Sequence, residues 1–157
     1  MIDSMSCPVK VLADRRSCMA DFSRIVVESK RRYNVNVRRW RPSMTGAAWR
    51  VFHRNGTAVN WIEAPQPKTP ISLAIFLHEI GHHAIGFQKY RVRCEEEYHV
   101  WLWALDEMRR QGVAPDARVN RRFELSMRYA VGKAMRRGIK QLPEPLKRFA
   151  ARPPVAA

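Results

Sequence analysis

The segment Leu77-His78-Glu79-Ile80-Gly81-His82-His83 gathers residue types that do chemistry. On a helix, His78 and His82 are four residues apart and project from one face, where two imidazoles can hold one zinc ion. Glu79 is rotated by one residue, which sets its carboxylate beside the metal instead of in the ligand row. From there it can take a proton from activated water and pass it to a leaving amine. The chemistry implied is metal-assisted hydrolysis. A helix that merely carries histidines would explain a lone one. It explains neither the full H-E-x-x-H spacing nor the apolar run before it. Gly81 is small enough to let a neighbouring element approach.

A protein zinc site that keeps one position for water needs a third ligand. Glu95-Glu96-Glu97 is the obvious supplier. If Tyr98, Trp101, Leu102, Leu105 and Met108 mark the inward direction, Glu96 points nearly opposite and Glu95 and Glu97 lie on the two flanks. Glu97 shares its side with Trp101 and Ala104 and is the first choice, with Glu95 the runner-up. An acidic start to a helix is the plainer explanation of the triplet. His83, about 100° around the helix from His82, cannot easily join the same ion and suits a supporting or surface role. His99 could orient substrate or stabilise oxyanion charge. Cys94 has suitable chemistry but precedes the expected helix start. His53 reads as a strand-surface histidine.

Several elements must position these groups. Asp21 to Tyr33 reads as a helix, with a start as early as Arg16, and Phe22, Ile25, Val26 and Ser29 lie near one stripe. Val35 to Trp40 alternates as a strand. Trp49–Arg54 and Thr57–Ile62 flank Asn55-Gly56, which suggests a two-residue type I′ hairpin with Phe52 opposite Val59 and Trp49 opposite Ile62. Glu63 to Pro70 is a proline-stiffened connection. Thr69 and Pro70 fit an N-cap and first helical position, Leu73, Leu77, Ile80 and Ala84 a buried stripe, and Gly86 a stop. Glu95 to Arg110 is a second strong helix, and residues 119–137 and 142–150 are two more. The tail from Ala151 is expected to fray.

With 157 residues and 46% apolar content, the chain is most simply one domain, residues 1–157, with a basic helical part at 118–150. No run approaches a membrane span, and the N-terminus lacks the apolar core of a signal peptide. Cys7, Cys18 and Cys94 are an odd number at wide spacing, so a reducing, cytoplasmic setting is expected. Of the +15 net charge, residues 1–54 hold +8 and residues 118–157 hold +9, while residues 55–117 hold −2. The histidine segment is thus the one acidic part of a basic chain. Such charge attracts nucleic acid or acidic proteins without defining a site. No zinc-finger spacing, RNA-binding aromatic motif or phosphate-binding glycine loop is present, and nothing sets an oligomeric state.

HEIGHH followed by CEEEYHVWLWA resembles the compact gluzincin-type metallopeptidases, closest to the ImmA/IrrE-like peptidase domain. The resemblance covers roughly residues 20–110. It implies a small α+β, zincin-like fold, with a short antiparallel sheet before the H-E-x-x-H helix and a second helix bearing the glutamate ligand. Here Tyr98 stands where that family usually has a small residue, and only fourteen residues separate His82 from Glu97. The resemblance also implies intracellular cleavage of a protein or peptide, commonly a transcriptional regulator. The expectation is a zinc endopeptidase with His78, His82 and Glu97 on Zn2+ and Glu79 as base. The alternative is a basic, DNA-associated regulator whose zinc is structural.

Overall fold

The computed structural model describes residues 21–150. The expectations on Cys7, Cys18, the segment before Asp21 and the tail from Ala151 lie outside the described residues. The order of elements is α1 (Phe22–Tyr33), β1 (Val35–Trp40), β2 (Ala47–Phe52), β3 (Ala58–Ala64), α2 (Pro70–Ile85), α3 (Arg93–Arg110), α4 (Ala117–Arg136) and α5 (Glu144–Ala150). This is the expected α+β arrangement: a short sheet precedes the helix with His78-Glu79-x-x-His82, and the helix with Glu97 follows.

Asp21 caps α1 by accepting the Arg24 amide at 3.1 Å, and Asn34 ends it in the left-handed region at φ 49°. Ile25 and Ser29 are buried, with Phe22 and Val26 packed beside the core. The sheet order is β1-β3-β2, so β2 is an edge strand. Its antiparallel pair is β2 with β3, while β1 joins β3 in parallel.

The hairpin register departs from the expected one by a residue. Phe52 pairs with Ala58 and Trp49 with Trp61, and Ile62 faces Ala48. The Gly56 amide bonds to the His53 carbonyl at 3.0 Å, and His53 N bonds to Thr57 O at 2.8 Å. Only Gly56 takes a positive φ, 82°. Asn55 instead spends its side chain locally, accepting from the Thr57 amide at 3.1 Å and hydroxyl at 2.7 Å. The loop is therefore a three-residue turn with a glycine bulge in place of a type I′ turn. His53 is exposed at its rim.

Thr69 caps α2 as expected, in a reciprocal capping box with Ser72, and Pro70 opens the helix. Burial goes well beyond the anticipated stripe: every residue from Ser72 to His83 is buried. The reason is that α2 runs through the middle of the molecule, touching α1, β2, β3, α3 and α4. Leu73, Phe76, Leu77 and Ile80 meet Ile62 and Ala64 of β3 and Trp101, Leu105 and Met108 of α3 in one core, closed below by Phe123, Met127, Leu146 and Phe149. None of the helices among the described residues is long and apolar enough to cross a membrane.

Candidate metal centre

His78 and His82 stand one turn apart on α2 with ring centroids 5.0 Å apart. Both present Nε2 to Glu97 of α3. His78 Nε2 lies 3.1 Å from Glu97 Oε2, and His82 Nε2 lies 3.7 Å from Glu97 Oε1. One ligand atom from each of the three lies within 4.8 Å of the others. A tetrahedral zinc ion with bonds near 2.0–2.1 Å needs donors about 3.3 Å apart, so movements of about an ångström close the cluster on an ion. Two imidazoles and a carboxylate form a donor set suited to a divalent metal.

Glu95 contributes neither to this cluster nor to the cavity beside it. Glu96 corrects the rotational argument. It is 2% exposed and points inward, accepting from the Gln88 amide at 3.0 Å and from Arg93, with Oε1 3.4 Å from His82 Nδ1. His82 Nδ1 has no aligned hydrogen bond, nor has His78 Nδ1. Glu96 thus backs the ring of His82 while leaving its Nε2 for the cluster.

The other candidates separate cleanly. His83 lies 3.1 Å from the carbonyl oxygen of Trp61 on β3, to which its Nε2–H donates, and burial lowers its pKa. It ties α2 to the sheet, in keeping with a supporting role. His99 stacks on Tyr90 at 4.3 Å and does not line the cavity. Cys94 does line it, inside α3 because that helix begins earlier than expected, but it is not in the cluster.

Four contributors were not anticipated. Gly46, before β2, lies so close to Glu79 that a Cβ would fall onto its Cγ, Cδ and Oε1. Arg41 holds that loop, donating to Thr45 Oγ1 at 3.2 Å and to Glu63 Oε2 at 2.9 Å. Trp101 packs against His78 with centroids 4.5 Å apart. Arg93 reaches Glu97 at 2.8 Å. Its position four residues before Glu97 is a helical pairing that an earlier helix start would have flagged.

Burial dominates the local electrostatics. It pushes the Glu79 carboxyl up to about 7, against the nearby His78 and with help from Glu97. Burial likewise drives His82 down to about 3, which keeps it neutral and able to ligate. In Glu97 burial is outweighed by the hydrogen bond from His78 and the charges of His78, His82 and Arg93, and its pKa falls to about 2. Neighbouring carboxyls are thereby split, one held ionised and one poised near neutrality.

The cluster opens into a cavity of about 690 Å³. One wall is α2 and the start of α3, and Thr45 to Ala48 form a rim. The opposite wall is α4, through Arg122, Ser126, Tyr129, Ala130, Lys133 and Arg137. Arg122 fastens this wall to the rim by donating to Met44 O at 2.9 Å. The basic part of the chain is thus the far side of the candidate centre. Comparison with protein-family models, curated proteins and solved structures gives no match, so the fold and this cluster carry the functional reading by themselves.

Proposed function

We propose that the protein is a zinc-dependent endopeptidase of the H-E-x-x-H type, with His78, His82 and Glu97 as metal ligands. The observation that carries this reading is Glu79, a buried carboxyl poised near neutral pH beside a two-histidine, one-glutamate cluster that faces a cavity. Zinc held there supplies Lewis acidity toward a peptide carbonyl and toward water. Glu79 holds and moves the proton at its carboxylate, with a pKa matched to accepting it at one stage and returning it at the next. Gly46 and burial fix the rotamer from which it acts.

The edge strand β2 suits the substrate's shape. Ala47 and Ala48 line the cavity, and the outer side of β2 has no strand partner among the described residues. An extended peptide laid there gains main-chain hydrogen bonds and crosses the cluster. The helix carrying His78-Glu79-x-x-His82, the following helix with Glu97 and the preceding sheet support membership among the gluzincins, close to the ImmA/IrrE-like domain. A regulatory protein in the cytoplasm is the substrate that resemblance favours.

A structural zinc in a DNA-associated regulator is the competing reading, favoured by the arginines of α4. Structural sites close with four protein ligands, whereas three groups here face open space. The test is Glu79→Gln. It should keep bound zinc and lose hydrolysis of an unfolded protein substrate. Full activity in that variant would remove Glu79 from the role of base. Absence of hydrolysis by the native protein, together with global unfolding on zinc removal, would support the structural reading.

A further inference from the structure

The cleft facing the candidate metal centre carries far more positive charge than the centre needs. Its lining holds Arg91, Arg93, Arg122, Lys133 and Arg137, and its carboxylates are Glu79 and Glu97 at the metal cluster. Two of the cations are engaged. Arg93 pairs with Glu96 and Glu97, and Arg122 donates to the Met44 carbonyl. Arg91, Lys133 and Arg137 have no acidic partner among the described residues, and all three are exposed.

Their placement is ordered. Arg122, Ser126, Tyr129, Ala130, Lys133 and Arg137 recur at helical spacing, so one face of α4 looks into the cavity along its length. From Arg122 to Arg137 the helix rises about 22 Å, which spans six or seven residues of extended chain at about 3.3 Å each. The loop from Gln111 to Asp116 is short, so α3 and α4 run antiparallel. Trp101 of α3 meets Phe123 of α4, so an antiparallel run directs the start of α3, with Arg91 just before it, toward the end of α4 that carries Lys133 and Arg137, and all three line the cavity. The free cations therefore collect at the end of the cleft away from the Arg122 tether.

We propose that this cleft selects an extended peptide bearing acidic side chains, with Lys133, Arg137 and Arg91 reading its carboxylates. The proposal rests on the cavity being a peptide-binding site and names the class of peptide it takes. A concave wall of one sign focuses its field and raises the local concentration of an oppositely charged ligand. Nucleic acid suits the site less well. A duplex cannot enter a cavity of about 690 Å³, and single strands need successive stacking rings. Of the lining aromatics, Tyr129 is exposed, while Trp101 is buried against His78.

The test is binding to the zinc-loaded Glu79→Gln protein, followed by fluorescence anisotropy. The probes are a labelled peptide of about ten residues with Glu at alternate positions, its Gln counterpart, and a single-stranded oligothymidylate of equal charge. The Glu peptide should bind about tenfold more tightly than the Gln peptide at about 50 mM salt, with the gap closing toward about 0.5 M. Adding Lys133→Gln and Arg137→Gln should abolish the gap at an unchanged melting temperature, and Arg91→Gln alone should narrow it. Equal binding of the two peptides at low salt, a gap that survives in the double variant, or tighter binding of oligothymidylate would overturn the proposal. No turnover enters this readout. An inactive native protein would therefore count against the peptidase reading and leave the charge preference to be judged separately.

Discussion

Gly46 and Glu79 occupy adjoining space so tightly that the absence of a side chain on one fixes the position of the other. The loop bearing Gly46 is held by Arg41, and Arg41 by Glu63, whose carboxyl is kept below its usual range chiefly by that hydrogen bond. A chain of contacts thus runs from the sheet to the proposed base. Gly46→Ala should displace the Glu79 carboxylate and lower kcat by about a hundredfold, the scale expected for an ångström of misplacement. Zinc content should be unchanged, because the three atoms nearest to a Cβ at Gly46 all belong to Glu79 and none to a ligand. Loss of zinc along with activity would show that the loop supports the whole cluster and not the base alone.

The glutamate triplet makes a graded series. Glu97→Ala should weaken zinc binding most. Glu96→Gln should weaken it about 10–100-fold by releasing His82 and Arg93. Glu95→Gln should leave it unchanged. Competition against a chelator of known affinity measures all three. An effect of Glu95→Gln as large as that of Glu97→Ala would reinstate Glu95 as the ligand.

Without metal, the site should write its titration into the stability curve. Glu97 is lowered from 4.5 to about 2, so the unfolded chain binds the extra proton between those values and stability rises with pH there. His82 is lowered from 6.5 to about 3, which gives the same sign over its own interval. Glu79 is raised from 4.5 to about 7, so the folded state binds the extra proton and stability falls as pH rises through that window. Melting temperature in chelator should therefore climb steeply up to about pH 4.5 and level off above it, where His82 and Glu79 oppose each other. In Glu79→Gln the climb should continue to about pH 6.5. Identical profiles for the two proteins would contradict this account.

Gly81 tests the contact between α2 and α3. A Cβ there would come within 2.9 Å of Trp103 Cε3 and 3.1 Å of Val100 Cγ1. The gain in helix propensity on replacing glycine is at most about 1 kcal/mol. Gly81→Val adds two methyls as well, and should destabilise by about 1–3 kcal/mol through overpacking, read from urea unfolding. A neutral result would mean that Trp103 swings aside without cost.

Local signals on the sequence foretold the elements well where one residue's chemistry settles a boundary. Asp21, the Thr69-Pro70 pair and Gly86 each act through their own backbone or side-chain hydrogen bonds, and the helices begin or end there. His78 and His82 needed only helical spacing to share a face. Glu96 was misplaced because the rotation assumed a single inward direction for α3. That helix is buried on two sides: Trp101, Leu105 and Met108 enter the main core, while Val100 approaches Gly81 of α2 and Glu96 approaches His82. The hairpin slipped by one residue because Asn55-Gly56 serves two loop types, and the Asn55 side chain chose between them. No pattern within residues 118–137 announced that one basic face would look onto histidines far earlier in the chain. That placement is made by tertiary packing.

The bond from Arg122 to the Met44 carbonyl joins residues 78 apart in sequence and pins one end of α4 across the mouth of the site. As a peptide site, a cleft tethered in this way would favour an extended strand over a folded surface. If the chain is a peptidase, its choice of target would then depend first on slack. Only a segment able to leave its own fold, such as a linker, a tail or a loosened repressor hinge, could thread past the tether to reach Glu79, so cutting would report on how folded the target is.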